Sequence, residues 1–103
     1  MKIVKVTYTT KAEYAEQNKA NIKAVMNDLQ NLNCAGINYH ACVGADGNTF
    51  IHTAFFQSDE DQKTLFDLAS FKHFQEQLKA SIPDKAPQQE LLTLAGSSKP
   101  IFS

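Results

Sequence analysis

The sequence lacks an excess of charge of either sign. Ten basic and eleven acidic residues give a formal net charge of −1 over 103 residues. A protein that holds a nucleic-acid backbone needs a basic stripe against the phosphates, and none is present in this sequence. The charge balance therefore argues against nucleic acid as a partner.

Long apolar runs are also missing. Lys5 interrupts the N-terminal MKIVKV, which alternates with period two and so indicates a strand rather than the core of a signal peptide. A membrane-spanning helix needs about 18 consecutive apolar residues, and no such run occurs. We therefore expect no membrane partner and a cytoplasmic location.

Cysteine is scarce, with only Cys34 and Cys42. The segment between them is mostly a predicted strand over residues 36–43. At ~3.3 Å per residue, this strand holds the two Cα atoms about 20 Å or more apart. A disulfide needs a separation of roughly 4.4–6.8 Å. Free thiols, as in a reducing compartment, are the expected state.

What the sequence does contain is an ordered series of local patterns that spells βαββαβ. Residues 3–9 alternate as a strand, and Thr10 and Glu13 have the spacing of a capping box at a helix start. A core-facing helical stripe follows, formed by Ala15, Asn18, Ile22, Val25, Leu29 and Leu32. Asp46-Gly47 then predicts a two-residue hairpin turn between two strands. The order predicts an α+β domain over residues 1–95.

The hairpin turn fixes which side chains share a face of the sheet. Pairing Ala45 with Asn48 puts Tyr39 and His52 on one face. The other face also carries apolar groups among its members, which are Asn38, His40, Cys42, Ile51, Thr53 and Phe55. An antiparallel sheet with one solvated face normally alternates apolar with polar residues, so we expect a partner to cover this second face.

The second half of the domain shows two further helix patterns and a last strand. Ser58 precedes three acidic residues and predicts a helix start, and a second helix restarts at Ser70 and stops at Pro83. Residues 85–89 are predicted as a polar connector, and residues 90–95 as the final strand. Residues 96–103 form a C-terminal tail.

The stretch GNTFIHTAFFQSDEDQKTLFDLASFKHFQEQL, residues 47–78, resembles the dimeric α/β-barrel superfamily, and in particular its antibiotic-biosynthesis-monooxygenase-like branch. This resemblance implies a ferredoxin-like subunit with helices on one face of its antiparallel sheet. It also implies a homodimer that forms an α/β barrel through the sheets. The tail with Ile101 and Phe102 is then expected to pack on the partner subunit.

The resemblance also bears on cofactors. Haem-degrading and quinone-forming members use an Asn and a Trp beside a cleft, and this chain has no Trp. Gln75 stands where haem-binding members carry a ligand His. His40, Cys42 and His52 have metal-ligand chemistry, but the predicted register puts His52 on the opposite face from the other two, and only a loop with an odd number of residues would bring them to one face. We therefore expect neither a cofactor nor a metal.

The candidate site combines His52 and Tyr39 as catalytic residues with Tyr8 and Phe66 as ligand-binding walls. An imidazole with an ordinary pKa near 6.5 suits a general base for a phenolic or enolic substrate. Buried aromatics with hydrogen-bonded polar tips are the competing interpretation. The sequence thus predicts a cofactor-independent monooxygenase-like enzyme for a small aromatic or quinol-like ligand. A non-catalytic dimeric binding or assembly module is the alternative.

Overall fold

The computed structural model describes residues 1–102, which form an antiparallel sheet covered on one face by helices. The strands and helices are β1 (Lys2–Thr9), α1 (Ala15–Leu32), β2 (Ile37–Val43), β3 (Thr49–Phe56), α2 (Asp59–Asp67), α3 (Ala69–Ala80) and β4 (Lys85–Leu92). The strand order is β2-β3-β1-β4. This arrangement confirms the predicted α+β ferredoxin-like fold.

The hairpin between β2 and β3 keeps the predicted register with a different turn. Val43 pairs with Phe50, as predicted. The Gly44 amide donates to the Thr49 carbonyl at 2.8 Å, so the loop spans residues 45–48 and the predicted two-residue turn is wrong. Asp46 Oδ1 accepts from the Thr49 amide at 2.9 Å and sets this longer loop. Both loops contain an even number of residues, so every side chain stays on its predicted face.

The start of α1 differs from the predicted capping box. A short 3₁₀ turn, Ala12–Tyr14, precedes α1, and no side chain caps either element. Thr10 is held instead at the end of the sheet: its amide donates to the Asn48 carbonyl at 2.9 Å. The Thr10 carbonyl accepts from Asn48 Nδ2 at 2.7 Å. Because its backbone is fixed by Asn48, Thr10 cannot cap the helix.

The ends of the helices follow local signals only in part. Ser58 caps α2 as predicted, since its Oγ accepts from the Asp61 amide at 3.3 Å. At the end of α1, Asn33 adopts a left-handed conformation, and the preceding Leu32 is half exposed instead of continuing the buried stripe. Ile82 also lies outside its helix with a positive φ, so the apolar stripe of α3 ends before it.

The last strand occupies the segment predicted as a connector. β4 begins at Lys85 and ends at Leu92, and all its side chains are exposed. It pairs with β1, placing Gln89 opposite Val6, and has no neighbour on its other side. An edge strand is held by backbone pairing and tolerates polar residues and a proline such as Pro87. These polar residues lack the apolar alternation from which a strand is predicted, so the sequence did not indicate this part of β4.

The C-terminal tail crosses the outer face of its own sheet. The Ile101 carbonyl accepts from Asn38 Nδ2 at 3.0 Å, and Ile101 and Phe102 are half-buried. Ile3 on the same face is buried, while Ile51 and Leu92 remain exposed there. The tail thus contacts its own subunit, and its packing on a partner stays a prediction.

Two other sequence predictions can be read from the described residues. Cys34 and Cys42 are free thiols. Among residues 1–102, none of the helices combines the length and apolar character needed to cross a bilayer.

The hairpin loop generates a test of the fold. Gly47 has a φ of 83°, which L side chains rarely adopt, although no atom would clash with a Cβ there. We expect Gly47→Ala to lower the free energy of unfolding by roughly 1 kcal/mol, because a Cβ strains this conformation. Urea unfolding measures the change. Gly96→Ala is the control, since Gly96 has open space and no positive φ. Equal stability of both variants would contradict the assigned loop.

Candidate functional site

A buried chain of hydrogen bonds crosses the sheet beneath α1. Asn18 Nδ2 donates to the Tyr8 hydroxyl at 2.8 Å. That hydroxyl lies 2.8 Å from His52 Nε2, and the Tyr39 hydroxyl lies 2.6 Å from His52 Nδ1. Both nitrogens of the imidazole are therefore engaged by phenols. His52 and Tyr8 are only 4% and 2% exposed.

Strand register brings these side chains together. Tyr8 pairs with Phe50 on β3, and His52 lies two residues further along β3 on the same face. Tyr39 on β2 pairs with Ala54, again two residues from His52. Such diagonal neighbours lie about 7–8 Å apart at their Cα atoms, which is within reach of long side chains. The structure thus assembles Tyr8, Tyr39 and His52 on the face predicted for them.

Asn18 is the one member of this series of hydrogen bonds that the sequence analysis did not identify as a polar partner. It occupies a core-facing position of α1 and is fully buried. The sequence interpretation placed it in the apolar stripe without assigning it a bond. An amide at a core-facing helical position is itself a signal, because a buried polar group is normally hydrogen-bonded.

Burial changes the ionisation of the whole group. Removal from water lowers the pKa of His52 from its ordinary 6.5 to about 4. Burial likewise raises the pKa of Tyr8 and of Tyr39 above the usual value of 10. All three side chains are therefore neutral at pH 7. The predicted general base with an ordinary pKa needs correction, because a buried imidazole holds an added proton poorly.

The hydrogen-bond donors of this neutral group determine what it can offer a ligand. A neutral imidazole donates from one nitrogen and accepts at the other. The Tyr8 hydroxyl already accepts from Asn18, so it satisfies its own buried proton by donating to His52 Nε2. His52 Nδ1 then donates to the Tyr39 oxygen. In the reverse arrangement the Tyr8 proton would have no acceptor, and an unpaired donor costs more at Tyr8, which is more deeply buried. The Tyr39 O–H is left to bond with a ligand.

The three side chains face a cavity of about 390 Å³. Ligand sites commonly measure about 300–1,000 Å³. α3 supplies an apolar wall, with the Phe74 ring centroid 5.4 Å from that of His52. The remaining lining is Val6, Phe71, Gln75, Leu78, Lys79, Pro83, Ala86 and Pro87. The cavity lining is therefore mostly apolar, with Tyr8, Tyr39 and His52 at the sheet and Gln75 and Lys79 on α3 as its polar members.

Phe66 lies apart from this cavity. It is 46% exposed and stacks on Phe71 with ring centroids 5.5 Å apart. It lines a second cavity of about 180 Å³, which shares Tyr39, His52 and Phe71 with the larger one. Phe66 therefore meets Tyr39 and His52 in the smaller cavity and is not part of the lining of the larger one.

The candidate metal ligands are dispersed. His40 is exposed on β2, whereas His52 is buried beneath the helices. Across residues 1–102, no three His, Cys, Asp or Glu side chains come together in a group that could hold a metal ion. Gln75, which the resemblance in the sequence set at a haem-ligand position, lines the larger cavity and has no ring nitrogen to offer a metal.

The sequence matches no known protein family and no curated protein. Solved structures do match. One from Bacteroides thetaiotaomicron, provisionally named as an antibiotic biosynthesis monooxygenase, is 14% identical with a TM-score of 0.78; the match covers 96% of this chain and 93% of that one. A protein from Nitrosomonas europaea with the same provisional name is 14% identical with a TM-score of 0.76, over 93% and 100% of the two chains.

A further crystal structure of an antibiotic biosynthesis monooxygenase is 10% identical with a TM-score of 0.74, covering 93% of this chain and all of that one. Identities this low establish shared architecture and leave activity open. The chain has the ferredoxin-like fold found in proteins of the antibiotic-biosynthesis-monooxygenase-like group.

Proposed function

We propose that this protein binds a small phenolic or quinol-like aromatic compound in the larger cavity and oxidises it with dioxygen, without a cofactor. The observation that carries this proposal is the Tyr8–His52–Tyr39 group at the floor of an apolar cavity. Shape and apolar lining suit an aromatic ring, and the Tyr39 O–H suits its oxygen substituent. The fold shared with named monooxygenases supports the reaction class.

The chemistry balances without an external reductant. An electron-rich aromatic alcohol can present a CH₂ group in its keto form. Dioxygen converts this group to C=O: one oxygen atom enters the substrate, and the other leaves as water with the two hydrogens of the CH₂. Ionisation of the substrate places negative charge on its oxygen before electrons pass to dioxygen. A preorganised donor at that oxygen stabilises the charge, and this is the role we assign to Tyr39.

His52 and Tyr8 hold the Tyr39 hydroxyl in position for this role. The imidazole donates to the Tyr39 oxygen, and the Tyr8 hydroxyl fixes the tautomer from the other side of the ring. This arrangement favours substrates that ionise readily, because His52 itself is a weak base after burial.

The same weakness favours a second candidate, a non-catalytic small-molecule-binding module. Neither the neutral imidazole nor the two protonated phenols removes a proton strongly at pH 7. Such a group binds an acceptor oxygen equally well without turning the ligand over. Oxygen consumption separates the two candidates.

Activity is tested by offering phenols and quinols to the protein under air and under argon, with an oxygen electrode and product analysis. We expect turnover only under air. Tyr39→Phe should lower kcat by about 100-fold, as loss of one transition-state donor commonly does, because the ring remains and the donor is lost. Binding without oxygen uptake by any compound would favour the binding module.

His40→Ala serves as the matched control for His52→Ala, because His40 lies on the other face of the sheet. We expect loss of activity in the second variant and retention in the first. An intersubunit site would instead use Asn38, His40, Thr53 and Phe55 from both chains. Loss only in His40→Ala would contradict the proposed cavity and favour that site.

The buried imidazole also predicts how stability depends on pH. Below pH 6.5 the unfolded chain takes up a proton on His52, whereas the folded protein resists until about pH 4. The free energy of unfolding should therefore fall by about 3 kcal/mol as the pH drops through this window, at 1.36 kcal/mol per pKa unit. Urea unfolding at pH 7 and at about pH 4 measures this change.

His52→Gln should flatten that pH dependence, and His73→Gln should retain it, since His73 is exposed on α3. An identical slope in His52→Gln and the unaltered protein would contradict the assignment to His52.

We further propose that the protein works as a cytoplasmic homodimer joined through its outer sheet face. Ile51 and Leu92 leave apolar surface there, and the two free cysteines suit a reducing compartment. Interfaces of permanent dimers commonly bury about 2,000 Å² or more.

Light scattering should give the dimer mass at micromolar concentration, and Ile51→Glu should shift it toward the monomer because a charge would then face the partner. A monomer mass for the unaltered chain at this concentration would overturn the dimer.

A further inference from the structure

The rim of the larger cavity carries a positive charge. Lys79 is the one charged side chain among the described residues that line it. It is exposed, and within residues 1–102 no carboxylate pairs with it. The floor of the cavity is electrically neutral. A ligand would therefore meet a cation at the opening and a hydrogen-bond donor at the bottom.

The geometry of α3 relates these two points. The Phe74 ring lies against that of His52 at the floor, tilted by 35° with ring centroids 5.4 Å apart. Lys79 lies five residues further along the same helix, a rise of roughly 7.5 Å. Gln75 lies one turn before Lys79 and lines the same cavity. One or two fused aromatic rings would span this distance, with a substituent at each end.

We propose that the ligand is a hydroxylated aromatic carboxylic acid. Its hydroxyl oxygen accepts from Tyr39 at the floor, and its carboxylate pairs with Lys79 at the rim. The apolar lining between them holds the ring. This inference rests on the proposed function for the aromatic ligand, and it adds the anionic substituent as the feature that sets the orientation of binding.

A matched pair of probes tests the inference. 6-Hydroxy-2-naphthoate and 6-hydroxy-2-naphthamide differ in the charge of one substituent, and their fluorescence is free of protein tryptophan because the chain contains none. Fluorescence titration at low salt gives each Kd. We expect the acid to bind about fivefold more tightly than the amide, the effect of an exposed ion pair worth about 1 kcal/mol. Added salt should reduce this ratio.

Variants of Lys79 identify the source of the preference. Lys79→Gln should bring the ratio of the two affinities near one, Lys79→Glu should reverse it, and Lys79→Arg should keep it. Lys72→Gln is the control, since Lys72 is exposed on α3 outside the cavity lining and should leave the ratio unchanged. Thermal unfolding of each variant checks that α3 is intact, because Lys79 also lies in its last turn.

The outcomes separate this inference from the proposed function. If acid and amide bind equally, and Tyr39→Phe weakens both, the carboxylate preference is overturned while the aromatic site stands. An acid preference that survives in Lys79→Gln overturns the role of Lys79. If neither probe binds at millimolar concentration, the inference fails, and oxygen uptake with uncharged quinols then tests the proposed function by itself.

Discussion

The imidazole of His52, held between two phenols, is the interaction on which the interior of this protein depends. It connects three strands and, through Tyr8 and Asn18, reaches α1. Hydrogen bonds at both ring nitrogens stabilise a polar group placed this deep, because each unpaired buried donor or acceptor costs about 1–3 kcal/mol. The sheet register and the position of α1 are therefore both constrained by a single ring.

The same constraint produces chemistry. A group whose donors and acceptors are all paired with one another has none left for a ligand. Two phenols and one neutral imidazole, however, carry one donor proton more than their mutual hydrogen bonds use. Because Asn18 occupies the Tyr8 oxygen, the surplus falls to Tyr39, which opens onto the cavity. The structural requirement for bonding thus leaves one donor directed at the cavity.

The sequence predicted most of this arrangement because side chains alternate between the two faces of a strand, and an even change in loop length leaves that alternation intact. The turn was wrong in length, yet an even loop preserved the faces, so Tyr8, Tyr39 and His52 met as expected. Other features depend on tertiary contacts that local patterns do not encode. Asn48 holds Thr10 in the sheet and prevents capping, and β1 supplies the pairing that makes the polar residues 85–89 a strand. The altered pKa of His52 arises from burial, which no spacing along the chain reveals.

The two walls of the cavity differ in how firmly they are held. Tyr8 and His52 at its floor belong to β1 and β3, each paired with strands on both sides, and Tyr39 belongs to β2, which pairs with β3 alone. Ala86 and Pro87 at its rim belong to β4, an edge strand that also pairs on one side only. Local opening draws on the least protected backbone. Amide hydrogens of β4 should consequently exchange with solvent well before those of β3. A ligand can then enter by fraying of β4 while Tyr8 and His52 on the two central strands keep their geometry, which separates the motion needed for exchange from the rigidity needed for recognition.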